Sequence, residues 1–231
     1  MSGVRRVVVL FAWVILAAII ALHAYYAVMI WWWRVHPPRE TAFMAERLAV
    51  LRVRDPHAAI RYRFVPYARI SVELKRAMVA AEDAKFVEHE GFDWNGIALA
   101  LEKNEKRGRI VAGGSTISQQ LARNLFLSGS RTWLRKGEEA VITVMLETIL
   151  DKRRILELYL NVIEWGSGIF GAEAASEHYF HVPAARIDAA EAARLAAMAP
   201  NPRYYERHPN APGLRRKIGI ILARMPSADL P

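Results

Sequence analysis

Cysteine is absent from these 231 residues, so no disulfide holds the fold and no thiol supplies chemistry, while the compartment is left open. No strand-period run extends beyond a few residues, no repeat period is visible and no low-complexity tract occurs, which leaves a mainly α domain. Acidic residues are outnumbered. The chain has 32 Lys and Arg against 23 Asp and Glu, a formal net charge of +9, and that balance implies an anionic partner. No aromatic-interleaved basic repeat or recognition-helix pattern stands out, so nucleic acid is not the expected partner. Much of the charge instead adjoins apolar segments, which favours a membrane surface.

Hydrocarbon dominates the N-terminal end. Val7 to Trp33 contains no Asp, Glu, Lys or Arg, and as a helix it would be about 40 Å long against roughly 30 Å of bilayer hydrocarbon. This predicts one N-terminal transmembrane helix. A cleaved signal peptide would have a run about half as long, followed by a small-residue cleavage site. Trp31, Trp32 and Trp33 followed by Arg34 read as an interfacial aromatic belt with a snorkelling cation. His23, inside the span, reads as one mildly polar residue among helix neighbours, with a proton relay as the sharper alternative. Arg5 and Arg6 on the short side face Arg34, Arg39, Arg47 and Arg52 on the long side. That count alone would put the long side in the cytoplasm, but long domains translocate largely regardless of charge. His36-Pro37-Pro38 ends the anchor, dividing the chain into residues 1–36 and a domain over 37–231.

Arg61 to Tyr67 reads as a short extended segment, and Ser71 with Glu73 opens a helix. Further helices are expected over 94–107, closed at Gly108, and over 115–125, followed by a loop to Ser130. The pattern is helical again over 136–165 with a break near Asp151, then over 171–179 and over 188–198, where Asp188 and Glu191 have capping-box spacing. A basic amphipathic helix over 214–225 precedes a frayed tail over 226–231.

Leu74, Met78, Glu82, Phe86 and His89 recur at the spacing of one helical face, so Glu82 points with the apolar stripe. Burial raises a carboxylate's pKa and tunes it for general acid or base work; a buried Glu paired to a structural Arg is the plain alternative. Downstream, Gly113-Gly114-Ser115-Thr116 precedes a helix, where free N–H groups and hydroxyls make an anion site, or is only a flexible turn. Gln119, Gln120, Arg123 and Asn124 share or neighbour one face of that helix. Arg131, Arg135 and Lys136 gather cations beside Glu139, which continues into Ile142, Leu146 and Ile149 and so also faces the apolar side. A solvated basic patch is the ordinary reading of such a charge run. Lys152, Glu157, Tyr159 and Asn161 follow. Glu157 reads as a buried structural carboxylate answering an Arg. His178 and His181 lack an evident third ligand for zinc and read as a helix end resting on aromatics.

Four blocks, from Glu82 to Gly91, Gly113 to Asn124, Arg131 to Glu139 and Lys152 to Asn161, closely resemble in order and interval the motifs of the family 51 glycosyltransferases, the peptidoglycan transglycosylases. The resemblance runs from about Arg61 to Arg224 and implies a lysozyme-like, mainly α glycosyltransferase domain behind one transmembrane helix. It implies polymerisation of lipid II into linear glycan strands by inverting transfer, with release of lipid pyrophosphate. It also implies that the N-terminus is cytoplasmic and the domain lies on the outer, periplasmic side of the bacterial inner membrane.

By the same resemblance Glu82 is the base that takes the acceptor hydroxyl's proton, and Glu139 is the second catalytic carboxylate, placing a cation or helping the leaving group. Substrate-binding positions are Asp83, Phe86, His89, Gly114, Ser115, Thr116, Gln119, Gln120, Arg123, Asn124, Arg131, Arg135 and Lys136. Among them Arg123 and Lys136 hold donor pyrophosphate and Arg131 assists. Asp83 reads as a helper orienting backbone or cationic groups, and Phe86 as packing more than stacking. His89 either contacts the acceptor or closes the helix through a hydrogen bond. The family usually has Lys where this chain has Arg123 and Thr where it has Ser118; Arg keeps the charge and adds a planar fork suited to phosphate. No cofactor is required by the sequence, and a divalent cation, magnesium or manganese, is left open. Partners are lipid II, the growing lipid-linked strand, membrane lipids and other cell-wall synthesis or division proteins. Neither Ser-x-x-Lys nor Lys-Thr-Gly occurs and the sequence stops at residue 231, so the monofunctional type, without a transpeptidase domain, is expected. The rivals are a lytic enzyme, which needs one essential Glu and no pyrophosphate site, and a non-catalytic scaffold that binds lipid II or division proteins.

Overall fold

Helices form wherever the sequence supplies an apolar stripe and a capping residue. A computed structural model describes residues 3–109, 113–127, 129 and 132–231. Its helices are α1 (Gly3–Trp32), α2 (Ala42–Arg52), α3 (Val72–Glu82), α4 (Trp94–Arg107), α5 (Ile117–Phe126), α6 (Trp133–Ile149), α7 (Lys152–Val162), α8 (Ala172–Phe180), α9 (Ala189–Met198), α10 (Pro202–Arg207) and α11 (Pro212–Arg224). Three short strands, β1 (Arg61–Tyr62), β2 (Glu164–Gly166) and β3 (Ile169–Phe170), make one small sheet in which β3 pairs parallel to β1 and antiparallel to β2. The expected mainly α architecture holds.

Two helical layers matter for function. α3 packs on α9 and α9 on α11, while α5 lies against both α6 and α7. Their buried faces, with Leu74, Met78, Leu121, Leu146, Leu158 and Leu195 all inaccessible to solvent, belong to one core. Glu82 ends α3 at the seam between the layers.

α1 is long and apolar enough to cross a membrane. Its last turns are part of the domain core: Tyr26 and Trp33 pack on Phe126 with ring centroids 4.7 and 5.2 Å apart, and Ile30 is fully buried. Burying each such side chain contributes on the order of 1.5–3 kcal/mol, enough to fix the anchor to α5. Trp31 and Trp32 are exposed as a belt requires, but Trp33 is not. His23 accordingly has a partner outside its own helix, with Nε2 3.6 Å from Glu138 of α6.

Several expectations need correction. The helix carrying Glu82 stops there: Asp83 leaves helical geometry at φ −162°, and residues 84–91 form turns. Phe86 and His89 are therefore buried and half-buried from a turn, not from a helix face. Asp83 ends the helix because its carboxylate is engaged elsewhere, by the backbone N–H of Ile117 and by His89. Helix α5 starts at Ile117, since Thr116 is its cap. Helical structure ends at Val162, and 164–166 is a strand. Helices α2 and α10 were not expected. The C-terminal tail is not frayed: Ala228 is buried and the Tyr67 hydroxyl donates to the Pro231 carbonyl at 3.3 Å.

Apolar side chains are concentrated over residues 125–134 and would suit the outer leaflet if exposed. Leu125 and Leu127 are buried in the domain and Phe126 lies under α1, so they do not serve that end; Ser128 and Ser130 lie outside the described residues. Trp133 and Leu134, 93% and 86% exposed, continue along one face of α6 into exposed Val141 and Val144. Such a stripe beside a spanning helix is suited to lipid. Trp133→Ser with Leu134→Ser is expected to lower vesicle binding several-fold in a chain shortened to begin at Leu22, too short to span. Unchanged binding in a vesicle flotation assay would count against this contact.

Candidate active site

Glu82 is half-buried at the C-terminal end of α3, and desolvation, the largest influence, raises its carboxyl pKa. The helix end adds to this, because the negative pole of the helix dipole disfavours a second negative charge. Opposing influences come from the Gln120 amide, which donates from Nε2 to Oε2 at 2.7 Å, and from the charges of Lys217 and Arg123; Asp83 acts in the raising direction. Gln120 is itself held, since the Tyr159 hydroxyl donates to its Oε1 at 3.0 Å. These are side chains from α3, α5, α7 and α11 converging on one carboxylate.

Asp83 faces away from this group. Its Oδ2 accepts from the Ile117 N–H at 3.0 Å, at the positive end of α5, and its Oδ1 lies 2.9 Å from His89 Nε2. Gly91 donates its N–H to His89 Nδ1 at 3.1 Å, which makes Nδ1 the acceptor and places the proton on Nε2, facing Asp83. Gly91 takes φ +90°, and a Cβ there would come within 2.8 Å of the Thr143 methyl, so only glycine closes this turn against α6. Phe86 is fully buried with the Lys152 ammonium 4.6 Å from its ring centre.

The glycine turn does two jobs. Gly114 lets the backbone approach α4, where an added Cβ would lie 3.1 Å from Ile97 Cα. Thr116 and Gln119 form a reciprocal capping box, and the Thr116 hydroxyl donates to the Gly91 carbonyl at 2.7 Å. Both side chains are thus spent on structure. Gly113, Gly114, Ser115 and Thr116 line a cavity of about 180 Å³ with Glu82, Asp83 and Arg224.

On the other side of Gln120 lies a cavity of about 300 Å³ whose lining includes Gln120, Arg123, Asn124, Arg135, Tyr159 and Arg203. Arg123 forms no ion pair among the described residues. Glu139, 3% exposed, is met by Arg135 Nη1 at 2.6 Å and by Lys136 Nζ. Arg135 Nε is buried without a hydrogen-bond partner among the described residues. Arg131 lies outside the described residues. No three His, Asp or Glu side chains converge to hold a metal among the described residues, and Glu139 already has two cations.

Glu157 pairs with Arg154 and accepts from the Tyr67 N–H at 2.5 Å, the structural part expected of it. Asn161 locks the Val65 backbone from both sides. Glu147 binds Ser118 and Lys152, joining α5, α6 and α7. His178 lies edge-on to Tyr179 and 3.7 Å from Glu206. The sequence did not single out Lys217 and Arg224. The basic character of α11 was legible, but only folding turns these two residues toward Glu82.

A half-buried carboxylate between helical layers, bordering cavities lined by Lys217 and Arg224, is an arrangement suited to glycosyl transfer on a helical scaffold. Residues 50–226 match the transglycosylase family model, and the chain belongs to that family, with its lysozyme-like domain and glycosyltransferase activity. It is 60% identical over 94% of its length to the biosynthetic peptidoglycan transglycosylase of Chromobacterium violaceum, of which 97% is covered. The proteins of the same description from Dechloromonas aromatica and Laribacter hongkongensis are 62% and 58% identical, over 88% and 95% of this chain and 87% and 99% of their own lengths.

Proposed function

We propose that this chain polymerises lipid II into linear peptidoglycan strands at the outer face of the bacterial inner membrane. Glu82 serves as general base, and the acceptor's 4-hydroxyl attacks the donor's anomeric carbon from the face opposite the leaving group. As the new C–O bond forms, the hydroxyl proton passes to Glu82. The bond from the anomeric carbon to the phosphate oxygen breaks, its electron pair leaving with the lipid pyrophosphate, and the anomeric configuration inverts. Arg123, Arg135 and Lys136 meet the charge that develops on the pyrophosphate. Glu139 holds Arg135 and Lys136 in place from below and need not touch substrate. The acceptor would lie on the Gly113–Thr116 side of Glu82 and the donor on the Arg123 side, with α1 keeping the enzyme where the substrate's lipid tail resides. The sequence has no Ser-x-x-Lys or Lys-Thr-Gly, so the strands would be left uncrosslinked by this chain.

The observation that carries this reading is a raised-pKa Glu82 joined through Gln120 to the cavity that Arg123 and Arg135 line, where Arg135 Nε has no hydrogen-bond partner among the described residues. A hydrolase cutting a neutral glycan would have no pyrophosphate for these cations to neutralise. The test is incubation of the purified chain with lipid II alone and, separately, with finished sacculi. Long uncrosslinked strands and free lipid pyrophosphate are expected from the first and no soluble fragments from the second. Fragments from sacculi with lipid II untouched would establish the lytic reading instead.

A further inference from the structure

Tyr159 is fully buried, and its hydroxyl ends on the amide that contacts the proposed base. We infer that Tyr159 is a positioning residue that acts through Gln120 to hold Glu82 in its ionised, proton-accepting form. This rests on the reading of Glu82 as the base. A carboxamide has a donor end and an acceptor end that can exchange by a half-turn about its last torsion. Burial raises the Tyr159 hydroxyl pKa well above its ordinary value, so it stays a protonated donor. Donating to Oε1, it leaves Nε2 as the end that faces Glu82. An N–H in that place favours the carboxylate, whereas a carbonyl oxygen there is tolerated only by the protonated acid.

The other groups around Glu82 set a background that this pair adjusts. Asp83, next in the chain, disfavours ionisation, and Arg123 of α5 and Lys217 of α11 favour it. Arg224 of α11 lines both cavities that Glu82 borders on that side, one with Lys217 and one with the Gly113–Thr116 turn. Removing the Tyr159 hydroxyl leaves all of these charges in place. It frees only the amide.

Tyr159→Phe in the detergent-solubilised full chain is therefore expected to displace the acidic limb of the lipid II rate–pH profile upward by about one pH unit or more, the scale of one hydrogen bond to a charged group. The rate should approach that of the wild type at alkaline pH, where Glu82 is ionised in both. Gln120→Met should move the limb similarly, and the double variant should move it no further than the larger single change. The same displacement should appear without substrate in the Glu82 carboxyl ¹³C resonance, assigned by its loss in Glu82→Gln. Loss of rate at every pH with an unmoved limb and an unmoved resonance would make Tyr159 merely structural and overturn the inference. If lipid II is not consumed by the wild type, the proposed function fails, yet the resonance still decides the coupling. If Tyr159→Phe does not fold, Gln120→Met carries the same test.

Discussion

Glu82→Gln is expected to lower lipid II polymerisation by about 10²- to 10⁴-fold, the usual contribution of general base catalysis. The change keeps size and the contact with Gln120 while removing the group that takes the proton. Stability should move the other way. The folded-state pKa of Glu82 is raised by burial, so folding favours its protonated form. That preference stabilises the native state fully below the unfolded pKa of about 4.3 and is lost as pH rises through the folded value. The variant should therefore match the wild type near pH 3 to 4 and become relatively more stable toward neutrality and above. Thermal melts across pH, paired with strand sizing, check both halves. A variant that polymerises normally removes Glu82 from the mechanism, and one that loses activity by unfolding removes the stability argument.

Much of the scaffold could be read in advance because its signals are local. Gly108 takes a left-handed φ of +60° at the end of α4, Asp188 and Glu191 form the expected capping box, and Asp151 caps α7 at the expected break. Each depends on residues within one helical turn. What failed depends on distant partners. The apolar spacing from Leu74 to His89 continues past the point where the helix stops, because Asp83 binds the backbone of Ile117, 34 positions away. Phe86 still reaches the core, so its burial was right for the wrong geometry. The strands span only two or three residues, too few for alternation to register. In the site, Thr116 and Gln119, substrate-binding by the resemblance, are also the reciprocal cap of α5. The Tyr159, Gln120 and Glu82 chain crosses three helices, and no spacing within one helix could announce it.

Arg123→Ala should produce the second large loss, about 10²- to 10³-fold in kcat/KM for lipid II, the scale for removing one preorganised group that meets developing charge. It lines the cavity proposed for the donor and forms no ion pair among the described residues, which leaves it able to answer a pyrophosphate there. Lys136 differs: it is 42% exposed and already bound to Glu139. Solvent and Glu139 both weaken what it can offer, and Lys136→Ala should cost only about tenfold. The ordering of the two losses tests the geometry, because bulk attraction for an anionic lipid would weigh the two cations equally. Arg215 and Arg216, exposed on α11, supply the control: their joint change to Ala removes twice the charge and should leave kcat/KM near the wild-type value. Arg123→Ala should lower the melting temperature only slightly, since Arg123 forms no ion pair among the described residues and acts on Glu82 only as a nearby charge. Equal losses from Arg123→Ala and from the Arg215 and Arg216 pair would mean that net charge alone draws the substrate, and the pyrophosphate site would have to be sought elsewhere.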